Sequence, residues 1–352
     1  MIIKVNPEML VLARESRGLR QSELATRLSI TQGKLSKLES GLLQVSDDFL
    51  DNLVAEVHYP HEFFQQTDRV YGYGTTCIYH RKRQSLPLLE LRRLIAELNV
   101  KRIQIARLLR GAEIEADNRF FRMDIEDYSG DAVHIADFLR RSWGIPSGPI
   151  ENLTTAIEAA GGIVLRRSFG TSKIDAMSQW APGEPPLFFI NSEIPADRCR
   201  FTLAHEIGHI IMHQAPTPDM ESEADEFAAE FLMPARDIGP YLKDISLPRL
   251  AVLKQYWKVS MGALLKRAAD LNKITGRQHK YLWTKMSKQG YRLHEPVKIP
   301  AEEPTVLTDI IKVHQTYHGY SLVDLANLVS SFPDEFCKTF LPNAPERLRI
   351  VG

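Results

Sequence analysis

His205, Glu206 and His209 form a His-Glu-x-x-His run inside the apolar frame Leu203, Ala204, Ile207, Gly208, Ile210 and Ile211. On a helix, residues four apart share a face. His205 and His209 can therefore grip one zinc ion, and Glu206, one step round, can reach a water at that ion. Two ligands plus a general base are the parts of metal-assisted hydrolysis. The competing reading is an ordinary amphipathic helix with two satisfied histidines. The frame argues against it, because it is that of a buried helix and a buried His-Glu-His set without a partner is costly. Gly208, between the two histidines, leaves room for another backbone to come close.

A third ligand is expected downstream. Ala224, Phe227, Ala228, Phe231 and Leu232 repeat at helical spacing, and Glu221 and Asp225 stand four apart beside them. Glu221 can complete a His-His-Glu triad that leaves a fourth position for water. Asp225 can accept a hydrogen bond from the other ring nitrogen of a ligand histidine. Glu223 is the competing ligand, on a different helix face. Without the upstream motif, Glu221, Glu223 and Glu226 would read as a solvated acidic face at a helix N-terminus. His213 reads as a helix-end histidine, with approach to the cleft to stabilise an oxyanion as the alternative.

The run Arg198-x-Arg200-Phe201-Thr-Leu-Ala-His205-Glu-Ile-Gly-His209, followed by Glu221-x-Glu-Ala-Asp-x-Phe-Ala-Ala-x-Phe-Leu-Met-Pro234, resembles the ImmA/IrrE metallopeptidase family. The resemblance spans roughly residues 130 to 295. It implies a zincin-like domain with a downstream glutamate ligand, and its Glu-x-x-x-Asn/Asp pattern falls on Glu221 and Asp225. Members of that family cleave transcriptional repressors, often in mobile elements, damage responses or phage defence. A peptidase of this type would hold Zn2+ with His205, His209 and Glu221, use Glu206 as its base, and act on a repressor or antitoxin.

The elements that must position these residues can be read in outline. Ile163–Arg167 and Leu187–Asn191 read as strands, with a strand or turn over 174–180 between them. Pro195 to Asp197 starts the helix of the His-Glu-x-x-His run. An apolar strand just before that helix suggests a sheet edge to which an extended substrate could add; the alternative is a core strand. Helices are expected over Asp131–Trp143, Ile150–Ala160 and Leu247–Tyr256, and after Ser260.

A second set of motifs lies at the other end. Residues 7–58 read as short helices, with Pro7 in a first turn, Thr31 as an N-cap and Ser40-Gly41 as a stop. Arg20-Gln21-x-Glu23-Leu24-Ala25 and Ile30-Thr31-Gln32-x-x-Leu35-Ser36-x-Leu38-Glu39 closely resemble the Cro/phage-repressor-like (XRE) helix-turn-helix family. On that resemblance Gln32, Gly33 and Ser36 would face base edges, while Gln21 and Lys37 would meet phosphate. A three-helix protein-binding module is the alternative. DNA is the expected partner, bound by a homodimer on paired half-sites.

The expected fold is α+β and helix-rich. An all-α helix-turn-helix domain (1–60) is followed by a linker with a helical segment (61–129), a zincin-like peptidase domain with a small sheet (130–296) and a helical extension (297–352). The 352 residues carry 44 basic and 44 acidic side chains, so total charge points to neither nucleic acid nor membrane, and any basic face must be local. Cys77, Cys199 and Cys337 are too few and too scattered for a disulfide framework. With no signal-peptide pattern and no spanning apolar run, a cytoplasmic protein without a membrane partner is expected. The function expected is a DNA-binding zinc metallopeptidase that cleaves a protein regulator. The alternative is a DNA-binding regulator or antitoxin whose zinc site is structural or sensory.

Overall fold

A computed structural model describes residues 5–72, 76–77, 86–112, 116–128 and 130–341. The basic cluster His80–Arg83 lies outside the described residues. The chain divides into two compact units, one of residues 1–76, 81–114 and 305–352 and the other of residues 77–80 and 115–304.

The first unit is helical. Helices α1 (Pro7–Ser16), α2 (Gln21–Arg27), α3 (Gln32–Glu39) and α4 (Asp47–Val57) follow the expected order. Asn6, Thr31 and Ser46 cap them through side-chain oxygens that accept the backbone N–H groups of Glu8, Lys34 and Phe49. Gly18 follows α1 at φ +67°, a left-handed turn that glycine takes without strain. Met9, Leu10, Ala13, Leu24, Leu35 and Leu53 close the core between these helices. After a two-residue strand, β1 (Thr76–Cys77), comes one 22-residue helix, α5 (Leu88–Leu109). Its Ala96, Val100 and Ile103 join the core of α1–α4. Buried Asn99 on α5 bonds both the N–H and the carbonyl of Tyr71, tying down the connecting chain. The helices of the tail, α14 (Val306–Tyr317), α15 (Leu322–Leu328) and α16 (Pro333–Phe340), belong to this unit. Periodicity sets α5 and the tail apart as linker and extension; in the structure their apolar faces are buried with the helix-turn-helix.

The second unit wraps helices round a small sheet. Strands β2 (Ile163–Arg167), β3 (Ala176–Gln179) and β4 (Leu187–Asn191) are joined with β4 inside, parallel to β2 and antiparallel to β3. Leu187–Asn191 is therefore paired on both sides, and the expected sheet edge does not fall there. Both of its faces are buried, which is why the strand reads as a continuous apolar run. Helices α6 (Ala132–Ser142) and α7 (Leu153–Ala159) precede or flank β2. Helix α8 (Ala196–Met212) packs on β3, β4 and α9 (Met220–Leu232). The short α10 (Ala235–Ile238) leads to α11 (Leu247–Trp257), α12 (Met261–Asp270) and α13 (Gly276–Lys288). Ser260 caps α12 as expected. Few apolar residues mark α13, so the sequence shows no helical periodicity there.

Candidate functional site

Helix α8 is buried on almost every side. Leu203, Ala204, Ile207 and Ile211 are inaccessible, and so are His205 and Glu206, with His209 only 1% exposed. A helix enclosed in this way carries polar groups only where they have partners. Gly208 makes the enclosure possible. A Cβ there would lie 3.1 Å from the Phe227 ring of α9, so the missing side chain admits an aromatic ring rather than another backbone.

α9 brings Glu221, Glu223 and Asp225 to the same place. The nitrogens of His205 and His209 and a carboxylate oxygen of Glu221 all lie within 4.8 Å of one another. Glu221 stands 3.8 Å from Nε2 of His205 and 3.6 Å from Nε2 of His209. Asp225 Oδ1 is 2.9 Å from Nδ1 of His205. Glu223 does not join the triad. It meets Nε2 of His213 at 2.9 Å, and Nδ1 of His213 meets Nδ1 of His209 at 3.0 Å.

With neutral rings, as metal ligation requires, these contacts fix where the ring protons would sit. An ionised carboxylate only accepts. His205 would then donate from Nδ1 to Asp225 and turn the Nε2 lone pair toward Glu221. His213 donates from Nε2 to Glu223, which leaves its Nδ1 as an acceptor. That acceptor takes the Nδ1–H of His209, so the His209 Nε2 lone pair faces Glu221 as well. Two imidazole lone pairs and a carboxylate thus converge on one point. Burial first, then the neighbouring His205 and His213, hold the His209 ring well below the usual histidine range, so it stays neutral. His213 is lowered too, by burial, against the pull of Glu223.

Glu206 faces the sheet. The Ser178 hydroxyl on β3 donates to its Oε2. Ser178 itself is fully buried, so the carboxylate is held by an element distant in sequence. Taking an ionised carboxylate from water costs several kcal/mol, whereas a hydrogen bond to a charged group returns about 1.5–3 kcal/mol. Glu206, Glu221, Asp225 and Glu223 gather round His205 and His209, and a divalent cation is the charge that suits such a set. The residues fit zinc: two nitrogens and one oxygen, both rings oriented through their far nitrogens by a second set of acceptors. Nothing in the sequence marks Ser178, and His213 reads there as a helix-end residue.

The helix-turn-helix residues form a separate face. Gln32, Gly33, Ser36 and Lys37 are all exposed along α3. No atom lies within 4 Å of where a Gly33 Cβ would stand, so that position is open. Gln21 sits beside them, accepting from Gln32 at 3.3 Å and donating to Glu39 at 3.0 Å. Arg14 clamps the same Glu39 at 2.6 Å. The pairing fixes α1, α2 and α3 to one another and presents the outer side of α3 to solvent.

Comparisons with known protein families agree with both regions. Residues 157–269 match the family model described as the IrrE N-terminal-like domain, Peptidase_M78. Residues 10–55 match that of a helix-turn-helix domain. The first covers His205, Glu206, His209, Glu221 and Asp225, and supports a metallopeptidase-type enzyme. The second covers Gln21 to Lys37. No curated protein matches the chain.

Proposed function

We propose that the chain is a DNA-binding zinc metallopeptidase that cleaves a protein regulator, a repressor or antitoxin. The observation that carries this reading is the convergence of His205, His209 and Glu221 within 4.8 Å beside a buried glutamate on the same helix. His205, His209 and Glu221 would hold the ion. Zinc bound there would supply Lewis acidity to a substrate carbonyl and make a water acidic near neutral pH. Glu206 rests one carboxylate oxygen on Ser178 and uses the other to take the attacking water's proton and return it to the leaving nitrogen. Asp225, and Glu223 through His213, keep both ligand rings in the required tautomer. Structural zinc sites close their shell with four protein donors. Among the described residues the group here has three, which favours an open, catalytic position over a structural or sensory one.

Exposed Gln32, Ser36 and Lys37 on α3 support the DNA reading, with Gln21 at its border. A head of this type usually binds paired half-sites as a homodimer, and would carry the peptidase to a regulator seated at its operator. The test is cleavage of candidate repressor and antitoxin proteins by wild type and by Glu206→Gln. Loss of a general base should slow cleavage by roughly 100-fold or more while zinc is retained. Equal cleavage by both proteins would remove Glu206 from the mechanism.

A further inference from the structure

The chain is neutral overall, but its charge is unevenly placed. From Leu271 to His294 there is no Asp or Glu, while Lys273, Arg277, Lys280, Lys285, Lys288 and Arg292 all fall in that stretch. All six are exposed. Among the described residues none of them makes an ion pair with a carboxylate, in contrast to Lys254 and Arg267 just upstream. Those two are buried against Asp197 and Glu295, and against Glu230.

Most of these cations sit on α13, and they sit on one side of it. At 100° per residue, Arg277, Thr284, Lys288 and Tyr281 form a narrow stripe, with Lys280 and Lys285 on its two borders. Leu282 and Met286 are buried on the opposite side, where they hold α13 to the core. From Arg277 to Lys288 the outward face is thus basic along about 17 Å of helix, by its 1.5 Å rise per residue. Near its middle stands Tyr281, 63% exposed. Away from this stripe, toward the buried side, Trp283 stacks on His279 and carries the Arg292 guanidinium over its ring at 5.3 Å.

Such a face works against the fold. Like charges three or four apart destabilise a helix by about 0.2–0.5 kcal/mol per pair. The helix dipole compensates only Lys285 and Lys288 in the last turn and opposes Arg277 in the first. A polyanion outside the chain would compensate all of them. Duplex DNA presents one phosphate charge per ~1.7 Å of axis, so a basic stripe of about 17 Å with an exposed aromatic suits a phosphate backbone.

We infer that the outward face of α13, in the peptidase unit, is a sequence-independent DNA-binding surface distinct from the helix-turn-helix. It grips the phosphate backbone through Arg277, Lys280, Lys285 and Lys288. It would keep the peptidase unit on DNA irrespective of operator sequence. The inference does not depend on cleavage.

The test uses the full chain and a random-sequence 30-base-pair duplex, with binding followed by fluorescence anisotropy between 50 and 200 mM salt. Three proteins are compared: wild type, the α13 variant R277Q/K280Q/K285Q/K288Q, and a head variant Q32A/S36A/K37A. Each phosphate contact contributes ~0.9 to the slope of log affinity on log salt. The α13 variant should therefore show a slope shallower by roughly 2–4 and at least tenfold weaker binding at low salt. The head variant should keep the steeper slope that α13 supplies. Circular dichroism and zinc content check that the α13 variant is folded. A folded α13 variant that binds the duplex with the wild-type slope overturns the inference. So does one that loses binding only to phosphatidylserine vesicles, which would assign the face to an anionic membrane surface.

Discussion

At the residue scale, the rings of His205 and His209 each meet a carboxylate, directly or through another ring, at the nitrogen turned away from Glu221. Asp225 fixes His205 directly, and Glu223 fixes His209 through His213. An amide in place of Glu223 can present either its N–H or its C=O, so it no longer dictates which nitrogen of His213 carries the proton. Glu223→Gln and Asp225→Asn should each weaken zinc binding by about 10–100-fold, measured by competition with a chromophoric chelator. Unchanged affinity in both would mean that the rings are oriented by packing alone. Cys199, on the same helix, makes a second point. Burial pushes its thiol up to about 11, against the pull of Arg166 and Arg200. Peptide mapping after alkylation should find Cys199 reacting slowly at pH 8, with a rate still rising beyond pH 10. A plateau near pH 9 would contradict that burial.

At the scale of elements, the site depends on how closely α8 and α9 approach. Phe227 is inaccessible and stacks on Phe231, so it cannot retreat from a Cβ at position 208. Overpacking costs about 1–3 kcal/mol and better helix propensity returns about 1 kcal/mol. Gly208→Ala should therefore lower unfolding stability by about 1 kcal/mol, read by denaturant titration; a stabilised variant would show that the helices can part. The same contact explains what the sequence could reveal. His205, Glu206 and His209 are legible because their spacing lies within one helix, and Glu221 with Asp225 because theirs lies within another. Ser178 is not legible. It comes from β3, and only the folded sheet brings it to Glu206. His213 is a helix-end residue by position, and its role arises from Glu223 on a different helix. Leu187–Asn191 reads equally as an edge or a central strand, because a run buried on both faces says nothing about its neighbours. α13 shows few apolar residues, so its periodicity was too weak to mark it, although its charge is plain in the sequence.

At the scale of the molecule, the chain leaves its first unit at residues 77–80, leaves it again after residue 114 and returns to it at 305. Leu307, Ile310, Ile311, Leu325 and Phe336 of the returning helices are all buried, and α14 and α15 pack on α5. Sequence position alone separates these segments; their apolar faces, which cannot remain in water, join them. Removing residues 305–352 should lower hydrogen-exchange protection across Leu88–Leu109 and leave Ala196–Met212 unchanged. Protection of Leu88–Leu109 equal to that of the full chain would mean that the tail adds nothing to the unit.

The central claim concerns the ion. Zinc should be titrated into chelator-stripped wild type and into His209→Ala and Glu221→Ala, with stoichiometry and affinity read by calorimetry. The account predicts one tightly held zinc per wild-type chain and loss of that site in both variants. A wild type that takes up no zinc, or variants that bind it as tightly as wild type, would contradict it.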